Sequence, residues 1–167
     1  LGVRPHNMMR EAGLDPRCLD DPETPISVAA ARQLLESSAK AAGADLIIPF
    51  MHWGWEREPA ASQRQQTFAR RMIDEGASMV VGSHPHVTQG ADIYQGKPIV
   101  YSLGNFVFDG FEIPEAKRGW LLRLKLDKTG VLEWETLAAQ IDEDGTPHPV
   151  SGALTPCGKA GDTLVSQ

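Results

Sequence analysis

The sequence predicts an α/β fold in which parallel βαβ units are followed by a β-hairpin. Three observations predict it. Two short apolar runs, over 45–51 and 77–81, flank a stretch over 59–75 whose apolar residues recur at helical spacing. Each run leads directly into a histidine-bearing turn, His52-Trp53-Gly54 after the first and Gly82-Ser83-His84-Pro85-His86 after the second. Further on, residues 120–126 alternate large apolar with polar side chains, residues 131–137 do so less regularly, and Asp127-Lys128-Thr129-Gly130 supplies the turn between them.

Taken in order, residues 1–25 are rich in turn formers and charge and read as a loop with a short helix near 7–12. From Ser27 the pattern sharpens. Val28, Ala31, Leu35, Ala39 and Ala42 recur every three or four residues, Ser27 is placed to cap the helix and Gly43 to stop it. The almost continuous apolar run over 45–51 has the character of a strand buried on both faces, although Pro49 lacks a ladder donor and belongs near a strand end. Helix 59–75 carries Ala61, Phe68, Met72 and Ile73 on one face and closes at Gly76. Strand 77–81 follows it, so a right-handed crossover makes the two strands parallel and brings their carboxyl ends to one side of the sheet. Gly96-Lys97 turns the chain into a further apolar strand over 98–103. After Ile141 four glycines and three prolines in the last 26 residues, with little patterned hydrophobicity, read as a surface arm or linker over 142–167. The expected organisation is therefore one domain over 1–141 followed by that arm.

Composition narrows the function classes. At 167 residues with 41% hydrophobic and 23% charged side chains the chain suits a single globular domain with a sizeable core. A net charge of −6 argues against broad binding to nucleic acid, which requires a basic face. Cys18 and Cys157 have no C-x-x-C partner, leaving one disulfide or two free thiols open. No stretch has the run of apolar residues that a membrane-spanning helix needs.

The chemistry concentrates in three histidines. Open α/β sheets bind ligands beyond the carboxyl ends of their strands, where His52, His84 and His86 stand. Pro85 is expected to push His84 into the extended region, where side chains two apart point the same way with Cα atoms roughly 6–7 Å apart. Three imidazoles suffice for a catalytic zinc, or supply part of a two-metal site that also needs a bridging carboxylate. Glu56, Asp92 and Asp109 are available for that role, although Glu56 and Asp92 read first as solvated loop charges. Asn105, after the strand over 98–103, either orients a ligand or caps a turn. Trp53 and Trp55 either wall a pocket or pack in the core, and Arg57, Arg64 and Lys97 are cations able to meet an anionic substrate. His6 and His148, in irregular segments, read as bystanders.

His52-Trp53-Gly54-Trp55-Glu56, then Gln63, then Asp74-Glu75-Gly76-Ala77, then Val81-Gly82-Ser83-His84-Pro85-His86-Val87, then Tyr101-Ser102-Leu103-Gly104-Asn105-Phe106 stand in one order. In that order they resemble the CapA family of bacterial capsule and poly-γ-glutamate biosynthesis proteins, over about residues 27–126. The resemblance implies a four-layer metallophosphatase-like α/β sandwich, with two divalent metals (Mn, Fe or Zn), His52 and His84 on one and His86 on the other. It also implies an extracytoplasmic place in the cell envelope, with Trp53, Glu56 and Asn105 around the substrate or behind the ligands. The Asp-bearing motifs and the Asn-His pair that such domains carry in their first half have no counterpart here, since His6-Asn7 has the reverse order. The chain therefore reads as the carboxyl-terminal half of a larger domain, with a sheet edge awaiting the other half or a second copy. Three functions follow: a metal-dependent hydrolase or transferase acting on a phosphate- or carboxylate-bearing substrate; a non-catalytic component that binds an anionic envelope polymer; and a mononuclear three-histidine zinc hydrolase.

Overall fold

The computed structural model describes residues 5–15, 27–110 and 113–167. They fall into two compact units, Leu1–Ile47 and Ile48–Gln167.

The first unit holds helices α1 (Pro5–Glu11) and α2 (Val28–Ala42). Met9, Ala12, Leu14 and Ala30 are buried together, with Leu34 packed against them. Ser27 caps α2 as its sequence position suggested, its Oγ accepting the Ala30 amide at 3.1 Å. At the other end Gly43 takes a left-handed φ of 61°, and the Ala44 amide reaches back to the Ala39 carbonyl at 3.0 Å, which satisfies a carbonyl the helix leaves open. Cys18 lies outside the described residues, and Cys157, in the second unit, is a free thiol.

The second unit is built on two four-stranded sheets. The first contains β1 (Phe50–His52), β2 (Val80–Ser83), β3 (Thr88–Tyr94) and β4 (Lys97–Leu103), in the order β1-β2-β4-β3. β1, β2 and β4 run parallel, as the crossover argument requires, and β3 is antiparallel to β4. Helix α3 (Gln63–Asp74) connects β1 to β2 and starts four residues after the sequence reading placed it, because Ser62 and Gln65 form a reciprocal cap at that point. β1 is shorter than expected. Pro49 has no amide to give, yet its carbonyl accepts the Val81 amide at 3.0 Å, so it marks the strand entry. β3 was not anticipated; its turn, Gln95-Gly96, has both φ angles positive (52° and 72°), the backbone that tight hairpins favour.

The second sheet is the predicted hairpin, β5 (Arg118–Asp127) and β6 (Gly130–Ile141), extended by β7 (Pro147–Pro149) and β8 (Cys157–Lys159). Two short strands of the segment over 142–167, expected as a surface arm or linker, thus join this sheet. β7 pairs with the end of β6 through Gln140↔His148, and β8 pairs with its middle through Trp134↔Gly158. Backbone ladder bonds and the Thr136 hydroxyl, donating to the Pro156 carbonyl at 2.8 Å, hold this segment, so it needs little patterned hydrophobicity. Met79, Val81, Val100 and Trp134 form the core between the sheets, with Trp120, Leu122 and Leu124 packed against them. Val80 and Ile99, which alternate with those residues, are fully buried on the opposite face, where α3 brings Ala69, Met72 and Ile73. The result is an α/β unit of helix, mixed sheet and antiparallel sheet.

Candidate metal centre

The carboxyl ends of β1, β2 and β4 meet at one place, and register decides what stands there. Met51 pairs with Gly82 and His52 with Ser83, so His52 lies beside the first residue of the His-Pro-His turn. The rings of His52 and His84 approach to 4.3 Å between centroids, and those of His84 and His86 to 6.2 Å.

The route to this convergence differs from the sequence expectation. His84 is not extended; its φ is 97°, and that of His86 is 60°. Non-glycine residues with positive φ are uncommon, and such strain persists only where the surroundings impose it. Here the imposition comes from the short path between β2 and β3, which turns within four residues, and from the loop above, whose Arg57 amide donates to the Pro85 carbonyl at 2.7 Å. The two imidazoles meet because the backbone is bent, not because it is straight.

Gly82 makes room for the turn. The Trp53 indole crosses over it and donates Nε1–H to the Tyr101 carbonyl at 2.8 Å. A Cβ on residue 82 would stand 2.1 Å from that oxygen and 2.4 Å from the indole nitrogen. Trp53 is thus half-buried in the sheet end, whereas Trp55 is 76% exposed.

Asn105 fixes the proton on His86. Its Nδ2 donates to two carbonyls, His86 O at 3.2 Å and Ala116 O at 2.9 Å, and carbonyls only accept, so the amide has a single orientation. Its Oδ1 then faces His86 Nδ1 at 2.8 Å, which must carry the hydrogen. In the neutral ring Nε2 is then the nitrogen that carries the lone pair, the tautomer of histidines that bind metals through Nε2. The Phe108 ring lies 5.5 Å from the His86 ring.

Among the described residues, Glu56, His84 and His86 offer ligand atoms that all lie within 4.8 Å of one another. Glu56, exposed on its loop, stands beside these two histidines. His52 is the exposed member of the ring cluster; partial burial first, then His84 and His86, lower its pKa and favour the neutral imidazole. Asp92 is engaged elsewhere, accepting Arg70 at 3.1 Å. Asp109 lies against Gly145 in an exposed loop. Lys97 pairs along the backbone with Tyr94. His6 is exposed on α1, and His148 sits 2.7 Å from the Asp142 carboxylate. Two residues behind the site, Gln65 and Gln89, were missed by sequence reasoning. Ser62-x-x-Gln65 has the capping-box pattern that could have flagged the first.

Comparison with known proteins adds the family. A model described as bacterial capsule synthesis protein PGA_cap matches residues 6–110. The capsule biosynthesis protein CapA of Bacillus anthracis is 39% identical over 122 residues, 69% of this chain and 28% of that protein. The PGA biosynthesis protein CapA of Bacillus subtilis is 40% identical over 114 residues, 64% of this chain and 28% of that protein. A probable polyglutamine synthesis accessory protein of Mycobacterium tuberculosis is 34% identical over 99 residues, 58% and 26% respectively. The matched stretch thus spans less than a third of these relatives.

Proposed function

We propose, from the premise that this chain belongs to the bacterial capsule synthesis protein PGA_cap family, that it carries the histidine part of a divalent-metal site. The complete protein would use that site to hydrolyse or transfer a phosphate- or carboxylate-bearing substrate during capsule or poly-γ-glutamate biosynthesis. The observation that carries the reading is the convergence of Glu56, His84 and His86, with the His86 tautomer set by Asn105. Two imidazoles and a carboxylate are a donor set that suits Zn, Mn or Fe. A metal bound there supplies a Lewis acid and an acidified water.

The chain's own residues do the rest. Glu56 brings negative charge to balance the ion, and His84 and His86 bring imidazole nitrogens. His52, beside His84, is a further nitrogen donor for the same centre or for a second ion. Trp55 and Phe108 offer ring surface at its margin. The reading extends to a four-layer sandwich in the complete domain and an extracytoplasmic place in the envelope. No helix among the described residues is long and apolar enough to cross a membrane. β1 is an edge of its sheet with Phe50 66% exposed, which favours cover by the remaining part of the domain or by a second copy.

Metal content of the complete protein tests the reading. His84→Ala is expected to remove most of the bound metal and with it phosphoester turnover; wild-type metal content in that variant overturns it. The exposed cations Arg57 and Arg64 favour one second reading, a site that holds an anionic polymer without turning it over. Salt-sensitive polymer binding with intact metal and no turnover would select it.

A further inference from the structure

Glu56 sits on a loop, and loops hold ligands well only when something rigid holds the loop. We infer that Gln89 is a positioning residue for Glu56, fastening the 53–60 loop to the sheet. This rests on the metal reading above.

Gln89 lies on β3 and is fully buried. Its Nε2 donates to the Glu58 carbonyl at 2.9 Å and to the Ala60 carbonyl at 3.2 Å, both in the loop shortly after Glu56. Those partners only accept, so the amide orientation is fixed and Oε1 must face the other way. There it accepts Gln65 Nε2 at 2.8 Å. Gln65 in turn accepts from the Ser62 amide at 3.0 Å through Oε1, so the chain of bonds ends in the cap of α3. The Gln65 side chain also lies over Gly54, where a Cβ would stand 2.8 Å from its amide nitrogen. With Arg57 N–H on Pro85 O, the loop is tied on one side to the turn that carries the histidines and on the other to sheet and helix. Every polar atom of the Gln89 side chain is used on this connection.

Co(II) titration of the complete protein, followed by visible absorption, is the test. Gln89→Met keeps the length and removes the donors. It is expected to weaken Co(II) binding about 10-fold with Glu56 present, the size typical of groups that orient a ligand. Added to Glu56→Gln, it is expected to change affinity less than about 2-fold, because the carboxylate it positions is gone. An equal loss in both backgrounds, or none in either, overturns the inference. If Gln89→Met does not fold by circular dichroism, Gln65→Met, which removes the support of Gln89 together with the Gln65 half of the α3 cap, is read by the same two-background comparison. Should Glu56→Gln itself leave Co(II) binding unchanged, the assignment of Glu56 to the metal fails, and the inference falls with it. Should Glu56→Gln weaken binding while Gln89→Met does not, the inference alone fails.

Discussion

Replacing Asn105 separates orientation of a ligand from capping of a turn, the two roles its sequence position left open. The side chain is 7% exposed and makes three hydrogen bonds, two from Nδ2 and one at Oδ1. Asn105→Ala leaves the carbonyls of His86 and Ala116 without this donor and His86 Nδ1–H without its acceptor. At about 1 kcal/mol for each net bond, with an added cost for buried groups left unpaired, the loss is about 2–4 kcal/mol of stability. Freed from Oδ1, the His86 ring is no longer held in one tautomer, and divalent-metal affinity should fall about 10- to 100-fold. Asn105→Asp keeps the acceptor for His86 but turns an oxygen toward two carbonyl oxygens. Its expected signature is different: stability falls, while metal affinity stays within a few-fold of wild type, since a carboxylate orients a histidine as well as an amide does. Urea unfolding and metal titration on the same three proteins read both quantities. Wild-type metal affinity in Asn105→Ala would refute the orienting role and leave Asn105 as a structural amide.

Two further outcomes follow from the geometry around the site. Gly82→Ala places a methyl 2.1 Å from the backbone oxygen of Tyr101, which cannot swing aside, so a loss of about 3 kcal/mol or more is expected in urea unfolding; a near-neutral result would mean that β2 and β4 are not so closely set. Burial pushes the Tyr101 phenol up to about 12, and its hydroxyl has no hydrogen-bond partner among the described residues. Because the folded state keeps this proton where the unfolded chain gives it up, stability should fall as pH rises from about 10 toward 12, by about 2 kcal/mol from this group. Tyr101→Phe should remove that part of the decline and cost little at neutral pH, which paired unfolding curves at pH 7 and 11 would show.

Much of the frame was legible because it depends on local chemistry. The hairpin over 118–141 follows from alternation and from Asp127, whose carboxylate accepts the Thr129 amide at 2.7 Å. α2 follows from its period, with Ser27 and Gly43 at its ends. β3 escaped notice because Thr88–Tyr94 mixes a glycine, an aspartate and a buried glutamine, and its strand character comes from pairing with β4. The tail escaped for a similar reason, since β6 offers ladder partners along its length. The rule that proline extends its predecessor failed at His84, where bonds from the neighbouring loop decide the backbone.

The sequence by itself determined the candidate site residues: the histidines, the asparagine and the order of motifs that marks the family are matters of residue type and spacing. It also determined that β1 and β2 end on one side, because a helix between two strands allows little else. Only the tertiary structure decided how those residues meet. Left-handed backbone at His84 and His86 aims the imidazoles, Asn105 fixes a proton through a carbonyl on a distant segment, and Gln89 fastens the loop that brings Glu56 to them. Each depends on contacts between residues far apart in the chain, which no local pattern of residue types encodes.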